Sequence, residues 1–197
     1  ETSARDNAAE FLPEVDAPAN YRDEIKIKAY LEEKRKSQLE RAALSAETAR
    51  ILCVGLLREE WPVSFVDDVD ERDLLIRTWD ALGAYKDDEQ FVTFNGARFD
   101  WPMLARRSYA LGVRIPGWFP LDGRWKNSRH CDLMELWQCG NRGDSISLDT
   151  LARLTGVGAK SGNGADFARL WRDDRAAALT YLTHDLELTR SLWLRMR

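Results

Sequence analysis

Two short segments of the chain place carboxylates where they could bind metal ions. The sequence YLTHD (residues 181–185) puts Tyr181 and Asp185 four residues apart, which on a helix brings them onto the same face. An earlier segment, FVTFNGARFD (residues 91–100), reads as a buried strand, a tight turn and Asp100 at the start of a helix. Together the segments indicate carboxylates at a sheet edge that bind metal, with a tyrosine nearby to position water.

Length and composition are those of an ordinary globular protein. The chain has 197 residues, enough for one well-buried domain, of which 44% are hydrophobic and 31% charged. No apolar run approaches the roughly 18 residues of a membrane span, and the polar start does not read as a signal peptide. Cys53, Cys131 and Cys139 form no CxxC pair, so we expect reduced thiols in a cytoplasmic protein.

The distribution of charge is uneven. A net charge of −4 argues against a protein that coats nucleic acid through bulk electrostatics. It does not argue against a nuclease, because metal ions offset the catalytic carboxylates. Residues 98–130 carry seven Lys or Arg against two Asp, a local balance of +5. This stretch is either a nucleic-acid surface or an ordinary solvated face.

The hydrophobic pattern predicts helices and strands in alternation after an initial loop. Residues 3–22 read as an extended loop and residues 23–43 as a charged helix. The apolar run 51–57 reads as one strand that forms a hairpin with residues 63–66. Further elements are predicted at 70–82, 91–95, 101–112, 130–137 and 147–157, with a last helix from Asp173 or Asp174 to the end. This order indicates a mixed α/β sheet covered by helices.

The motifs NGARFD, SLDTLARLTGV and YLTHD, in this order, resemble those of the DEDD 3′–5′ exonucleases. The chain is most similar to the tyrosine (DEDDy) branch, as in the proofreading domains of family B DNA polymerases, and to related stand-alone bacterial and phage exonucleases. The histidine branch would place His where Thr180 stands. The resemblance implies a ribonuclease-H-like α/β fold over residues 1–197, with a charged helical insertion at residues 18–48 between the first and second strands.

The resemblance also implies a set of metal-binding acids. Asp100 matches the second motif of such enzymes and Asp185 the third. The first motif, D-x-E-T, is matched only by Glu1 and Thr2, so its aspartate and the strand leading to it are expected upstream of residue 1. A chain that truly began at Glu1 would be destabilised and nearly inactive. The alternative is that Glu1 is an arbitrary end with no part in the chemistry.

Two Mg²⁺ or Mn²⁺ ions about 3.5–4 Å apart would clamp the attacking and leaving oxygens of a phosphodiester. By resemblance, Glu1 and Asp185 would hold the ion that activates water, and Asp100 the other. Tyr181, whose reference pKa is near 10, would orient the nucleophile rather than act as a base. Each residue also has a structural interpretation, since Asp100 is a good helix N-cap and Tyr181 could belong to the core edge.

A second group of residues could contact the substrate. Asn95 at the strand end resembles the family's substrate-side amide, although an Asn-Gly turn with Gly96 would alone explain it. Trp118 and Trp125 could stack on unpaired bases, while most tryptophans are better explained as core. Lys160 could meet a phosphate, but a solvated loop lysine is the simpler interpretation. The candidate substrate contacts are Thr2, Asn95, Gly96, Phe99, Trp118, Arg124, Trp125, Lys126 and Lys160.

These features predict a metal-dependent 3′–5′ exonuclease that acts on the 3′ ends of single-stranded DNA. An exoribonuclease is the first alternative, because the same acids cut RNA and no residue that discriminates the sugar is identifiable. The second alternative is a nucleic-acid-binding or scaffolding module that keeps the fold without activity.

Overall fold

The computed structural model describes residues 1–58, 61–85, 89–119, 129–141 and 143–197. The chain divides into two compact units, Glu1–Ile51 and Leu52–Arg197. Within the described ranges, no helix is long and apolar enough to cross a membrane.

The first unit is a short antiparallel strand pair with one long helix. Strand β1 (Thr2–Ala4) pairs with β2 (Ala49–Ile51). Helix α1 (Glu24–Arg41) begins after Asp23, whose carboxylate accepts the N–H groups of Ile25 and Lys26. The predicted charged helix is therefore confirmed. None of its residues, all of which the structure describes, is buried, which fits a sequence with only a thin apolar line.

The second unit contains two further strand pairs. Strands β3 (Val54–Leu56) and β4 (Ser64–Val66) form the predicted antiparallel hairpin. Strands β5 (Phe91–Thr93) and β6 (His130–Asp132) pair in parallel. The described residues thus form three two-stranded sheets, and the prediction of a mixed α/β protein is confirmed. A parallel pair requires a crossover connection.

The prediction that residues 51–57 form a single strand is wrong. Ile51 ends β2, which pairs with β1, whereas Val54 begins β3, which pairs with β4. A continuous apolar run reports burial but not the partner of each residue. The sequence therefore contains no signal for this change of partner.

Six helices follow the hairpin in the second unit. Their bounds are α2 Glu71–Gly83, α3 Asp100–Ala110, α4 Leu133–Gln138, α5 Leu148–Thr155, α6 Phe167–Asp173 and α7 Arg175–Met196. Asp70, Ser147 and Asp174 cap α2, α5 and α7 by accepting backbone N–H groups. Helix α6 was not predicted, because seven residues are too few to show a helical period.

The prediction that Asp100 caps α3 is also wrong. Asp100 is the first residue of α3, and Phe99, whose side chain cannot accept a hydrogen bond, holds the N-cap position. The reason lies in the preceding turn, where Phe99 N donates to the Asn95 carbonyl and Trp101 N to the Gly96 carbonyl. These bonds start the helix one residue earlier, and leave the Asp100 side chain exposed.

Helix α7 organises the core of the second unit. Near its start, Tyr181 and Leu182 pack with Leu52, Cys53 and Phe167. Further along, α7 contributes Leu188 and Leu192 to a second cluster that includes residues of α4 and α5. At Gly55 of β3 an added Cβ would lie 2.8 Å from Leu186 Cδ1, so this strand lies closely against α7. The candidate residues of α7 are thereby held on a rigid element.

Candidate active site

Tyr181 and Asp185 lie one turn apart on α7, at the border between the core and the surface. Tyr181 is 6% exposed and belongs to the core cluster of the second unit, and the Asp185 side chain is 14% exposed. Among the described residues, neither the Tyr181 hydroxyl nor Asp185 Oδ1 has a hydrogen-bond partner. Buried polar groups are normally hydrogen-bonded, so these two atoms are the kind that a ligand would satisfy.

Lys160 forms an ion pair with Asp185. Its Nζ lies 2.6 Å from Asp185 Oδ2 and 5.1 Å from the centroid of the Tyr181 ring. The side chain is 21% exposed, so the interpretation of Lys160 as a solvated loop lysine is wrong. Although burial acts to lower it, the pKa of Lys160 is raised, because the hydrogen bond and charge of Asp185 favour the ammonium. A positive charge therefore sits on one oxygen of the candidate metal ligand.

The segment that carries Lys160 is held from α5 and lies against Tyr181. Lys160 N donates to Asp149 Oδ1 at 2.8 Å, and Asp149 pairs with Arg153 one turn later at 2.9 Å. A Cβ on Gly162 would lie 3.4 Å from the Tyr181 ring, and one on Gly164 would lie 3.5 Å from its hydroxyl. The SLDTLARL motif thus positions the lysine, and the backbone at both glycines lies within van der Waals reach of the tyrosine.

The protonation of Tyr181 follows from its surroundings. Burial raises the pKa of Tyr181 to about 12, with Lys160 acting against the rise and Asp185 adding to it. At neutral pH the phenol is therefore protonated. It can donate one hydrogen bond.

The turn formed by Asn95, Gly96 and Ala97 after β5, called here the NGA turn, is held in an unusual conformation. Asn95 has a positive φ of 64°, which non-glycine residues adopt rarely although Asn tolerates it best. Gly96 is buried, and an added Cβ would overlap the side chain of Thr93. The turn itself therefore requires Gly96 and suits Asn95, and it leads directly to Phe99 and Asp100.

Sequence reasoning missed Asp132, the last residue of β6. It is 5% exposed, and its carboxylate accepts N–H groups from Asn95, Ala97 and Met134. An Asp before a helix is a recognisable cap signal, and Asp132 does cap α4. Its bonds to the NGA turn, 35 and 37 residues away, have no signal in the sequence.

His130 packs beside this turn as a neutral group. Its Nε2 lies 2.8 Å from Thr93 Oγ1, and its ring meets that of Trp101 edge-on at 5.6 Å. Burial lowers the pKa of His130, and Asp132 opposes the shift only in part. The histidine supports the end of the parallel strand pair rather than offering a positive charge.

The aromatic and basic candidates are divided between core and surface. Trp118 stacks on Phe91 with centroids 5.9 Å apart and contacts Trp79 edge-on; it is partly buried. Arg107, from the basic stretch, is 3% exposed and paired with Glu71 at 2.6 Å, so it is a core residue. The candidates Arg124, Trp125 and Lys126 lie outside the described residues.

Glu1 and Thr2 belong to the first unit. Thr2 begins β1 opposite Ile51, and its hydroxyl donates to the Ala43 carbonyl at 2.6 Å. Glu1 directly precedes the strand.

The described side chains meet the requirements of a metal site only in part. In the described part of the chain, no three His, Cys, Asp or Glu side chains are close enough together to hold a metal ion. Asp185 by itself fits such an ion, because one of its oxygens is buried without a partner there and carboxylate oxygens suit Mg²⁺ and Mn²⁺. The ammonium of Lys160 occupies its other oxygen.

Comparison with known proteins identifies the family. A family described as "Predicted 3'-5' exonuclease related to the exonuclease domain of PolB" matches residues 43–197. That range includes Asn95, Asp100, Asp132, Tyr181 and Asp185, and it leaves out the two residues assigned to the first motif. No curated protein matches the chain significantly. Since the match covers most of the chain, this protein belongs to the family of predicted 3′–5′ exonucleases related to the exonuclease domain of PolB.

Proposed function

We propose that this protein is a metal-dependent 3′–5′ exonuclease that hydrolyses phosphodiester bonds at the 3′ ends of single-stranded DNA. The observation that carries the proposal is the pair of Tyr181 and Asp185 within the matched region. Both side chains are largely buried on one face of α7, and each has a polar atom without a partner among the described residues. Burial without satisfaction costs stability, which is expected where a site is built for a ligand.

The metal ions that this function requires are Mg²⁺ or Mn²⁺, two per site. Asp185, Asp100 and Glu1 would hold them, as the resemblance to the tyrosine branch implies. Bound divalent ions would neutralise charge on the phosphodiester and activate water for attack. The ribonuclease-H-like sheet, the single domain and the helical insertion at residues 18–48 belong to the same proposal.

The side chains of the chain itself have separate tasks in this proposal. Tyr181, protonated at neutral pH, donates a hydrogen bond that orients the attacking water or a phosphate oxygen. Lys160 holds one oxygen of the Asp185 carboxylate in an ion pair and lies where it could also meet the scissile phosphate. The segment 159–164 covers Tyr181 and limits the access of bulk water.

The substrate would lie along the NGA turn. Asn95, Gly96 and Phe99 are proposed to contact the terminal nucleotide, and Thr2 is a further proposed substrate contact. Trp118 is proposed to stack on a base, together with Trp125, and Arg124 and Lys126 to bind phosphates. An RNA substrate is the alternative within the same chemistry.

A second candidate function is a nucleic-acid-binding module without activity. It is favoured by one observation: within the described ranges, three potential metal ligands do not come together. Activity of the purified protein distinguishes the two.

The test is a degradation assay with 5′-labelled single-stranded DNA and RNA of equal sequence, in Mg²⁺, Mn²⁺ or EDTA. We expect a ladder that shortens from the 3′ end, is absent in EDTA and is lost in Asp100→Asn and Asp185→Asn. The matched control is Glu187→Gln, which removes an exposed carboxylate from α7 two residues beyond Asp185. Binding of DNA without cleavage under every metal condition would favour the inactive module.

A further inference from the structure

The carboxylate of Asp132 joins two parts of the chain that are distant in sequence. Oδ1 accepts the N–H of Asn95 at 2.8 Å and that of Met134 at 3.0 Å. Oδ2 accepts the N–H of Ala97 at 2.9 Å. Both oxygens are therefore engaged by backbone donors inside the protein.

A capping role explains only part of this arrangement. The bond from Met134 is an ordinary N-cap bond of α4, which Ser, Thr or Asn could also make. The bonds from Asn95 and Ala97 come instead from the turn after β5. Only a carboxylate offers two acceptor oxygens that serve both sets of donors at once. Bonds to an ionised acceptor are also stronger than neutral ones.

The turn needs such an anchor because its own conformation is unfavourable. Asn95 has a positive φ of 64°, and strained backbone of this kind persists only where its surroundings hold it. The paired register of β5 and β6 ends at Thr93 and Asp132. Beyond that point the turn is connected to β6 by the Asp132 carboxylate.

We infer that Asp132 is a positioning residue of the active site, which acts by holding the turn that carries Asn95 and leads to Asp100. This inference rests on the proposed exonuclease function. Asp132 does not bind metal in this scheme, because its two oxygens already accept three N–H groups. Its effect on catalysis passes through the backbone of the turn.

Two substitutions separate this role from that of a ligand. In Asp132→Asn the amide oxygen keeps the bonds from Asn95 and Met134, while its NH₂ group faces the N–H of Ala97; Asp132→Ala loses all three. We expect kcat to fall by about tenfold in Asp132→Asn and about 100-fold in Asp132→Ala, within the range for residues that orient ligating groups. If Asp132→Asn is as inactive as Asp132→Ala, or if Asp132→Ala keeps full kcat, the inference is overturned.

Loss of stability must be separated from loss of positioning. The matched control is Asp70→Ala, because Asp70 accepts two N–H groups at the start of α2, at 2.7 and 3.2 Å. It should lower the melting temperature but leave kcat per folded molecule unchanged. All rates are measured well below the lowest melting temperature. Should Asp132→Ala not fold, Asp132→Asn alone decides, and unchanged kcat in that variant overturns the inference.

A second readout does not depend on activity. In ¹H–¹⁵N spectra of Asp132→Asn, the Ala97 amide should shift and exchange at least about tenfold faster with solvent, as expected for a lost hydrogen bond. The Asn95 amide should change less. Unchanged Ala97 exchange would refute the positioning role even if the wild-type enzyme is active. An inactive wild-type protein would instead overturn the proposed function, and the amide data would still decide whether Asp132 holds the turn.

Discussion

Replacing Tyr181 by Phe should make the protein more stable and less active. The substitution removes a single hydroxyl, which is buried without a hydrogen-bond partner among the described residues. The ring remains, and with it the contact to Phe167 at 6.1 Å and the position of Lys160 at 5.1 Å from the ring centroid. The change therefore isolates the hydroxyl group.

The expected gain in stability follows from the cost of burying that group. An unsatisfied hydroxyl in a protein interior costs about 1–3 kcal/mol. Residual interaction with Lys160 and Asp185 offsets part of this cost, so we expect the free energy of unfolding to rise by about 1 kcal/mol. For a protein of this size that raises the melting temperature by roughly 2–4 °C.

The gain should increase at alkaline pH. Burial raises the pKa of Tyr181 to about 12 in the folded protein, whereas the phenol of the unfolded chain titrates near 10. Between pH 10 and 12 the unfolded chain therefore releases this proton while the folded protein keeps it. Over that interval the free energy of unfolding of the wild type falls by on the order of 2–3 kcal/mol in total, and below pH 10 it is unaffected by this group. Tyr181→Phe has no such group to ionise, so its advantage over the wild type should widen across that interval.

Activity should change in the opposite direction. If the phenol donates a hydrogen bond to a charged group in the transition state, its loss costs about 1.5–3 kcal/mol, or roughly 10- to 150-fold in kcat. Urea denaturation and single-strand degradation on the same samples measure both effects. A variant destabilised by about 1 kcal/mol or more would show that the hydroxyl has a partner in the native state, and unchanged kcat would remove Tyr181 from the mechanism.

Three further changes test other parts of the second unit. Lys160→Met should lower the free energy of unfolding by about 1–3 kcal/mol, because it leaves the Asp185 carboxylate without its counter-charge. Adding Asp185→Asn should restore most of the loss. If the effects of the two substitutions simply add, the pairing is contradicted. Gly55→Ala should cost about 1–3 kcal/mol in urea denaturation, because its Cβ would lie 2.8 Å from a leucine of α7. Gly83→Ala, with a nearest contact of 3.8 Å, should be neutral or stabilising. Burial lowers the pKa of His130, so the stability that it contributes is present above about pH 6.5 and lost as the pH falls further. In a plot of the free energy of unfolding against pH, His130→Gln should therefore reduce the fall below pH 6.5. An unchanged fall would assign it to other groups.

The residues that local rules govern were predictable from the sequence. Asp23, Asp70, Ser147 and Asp174 cap helices through donors two or three positions away, which a short window of sequence contains. The pairing of Tyr181 with Asp185 on one face needs only the helical period. Asn95 and Gly96 were recognisable as a turn because few other residues accept that backbone.

The contacts that complete the candidate site were decided by the tertiary structure. Lys160 meets Asp185 across 25 positions, and Asp132 meets the NGA turn across more than 30. Hydrophobic periods and caps report how a segment sits against the core, but they do not say which distant polar group it will face. That choice depends on how β5, β6 and α7 pack, and packing is a property of the whole fold. The sequence by itself therefore determined most of the elements and the candidate acids, while the fold determined which strands pair and which charged and backbone groups contact the candidate site.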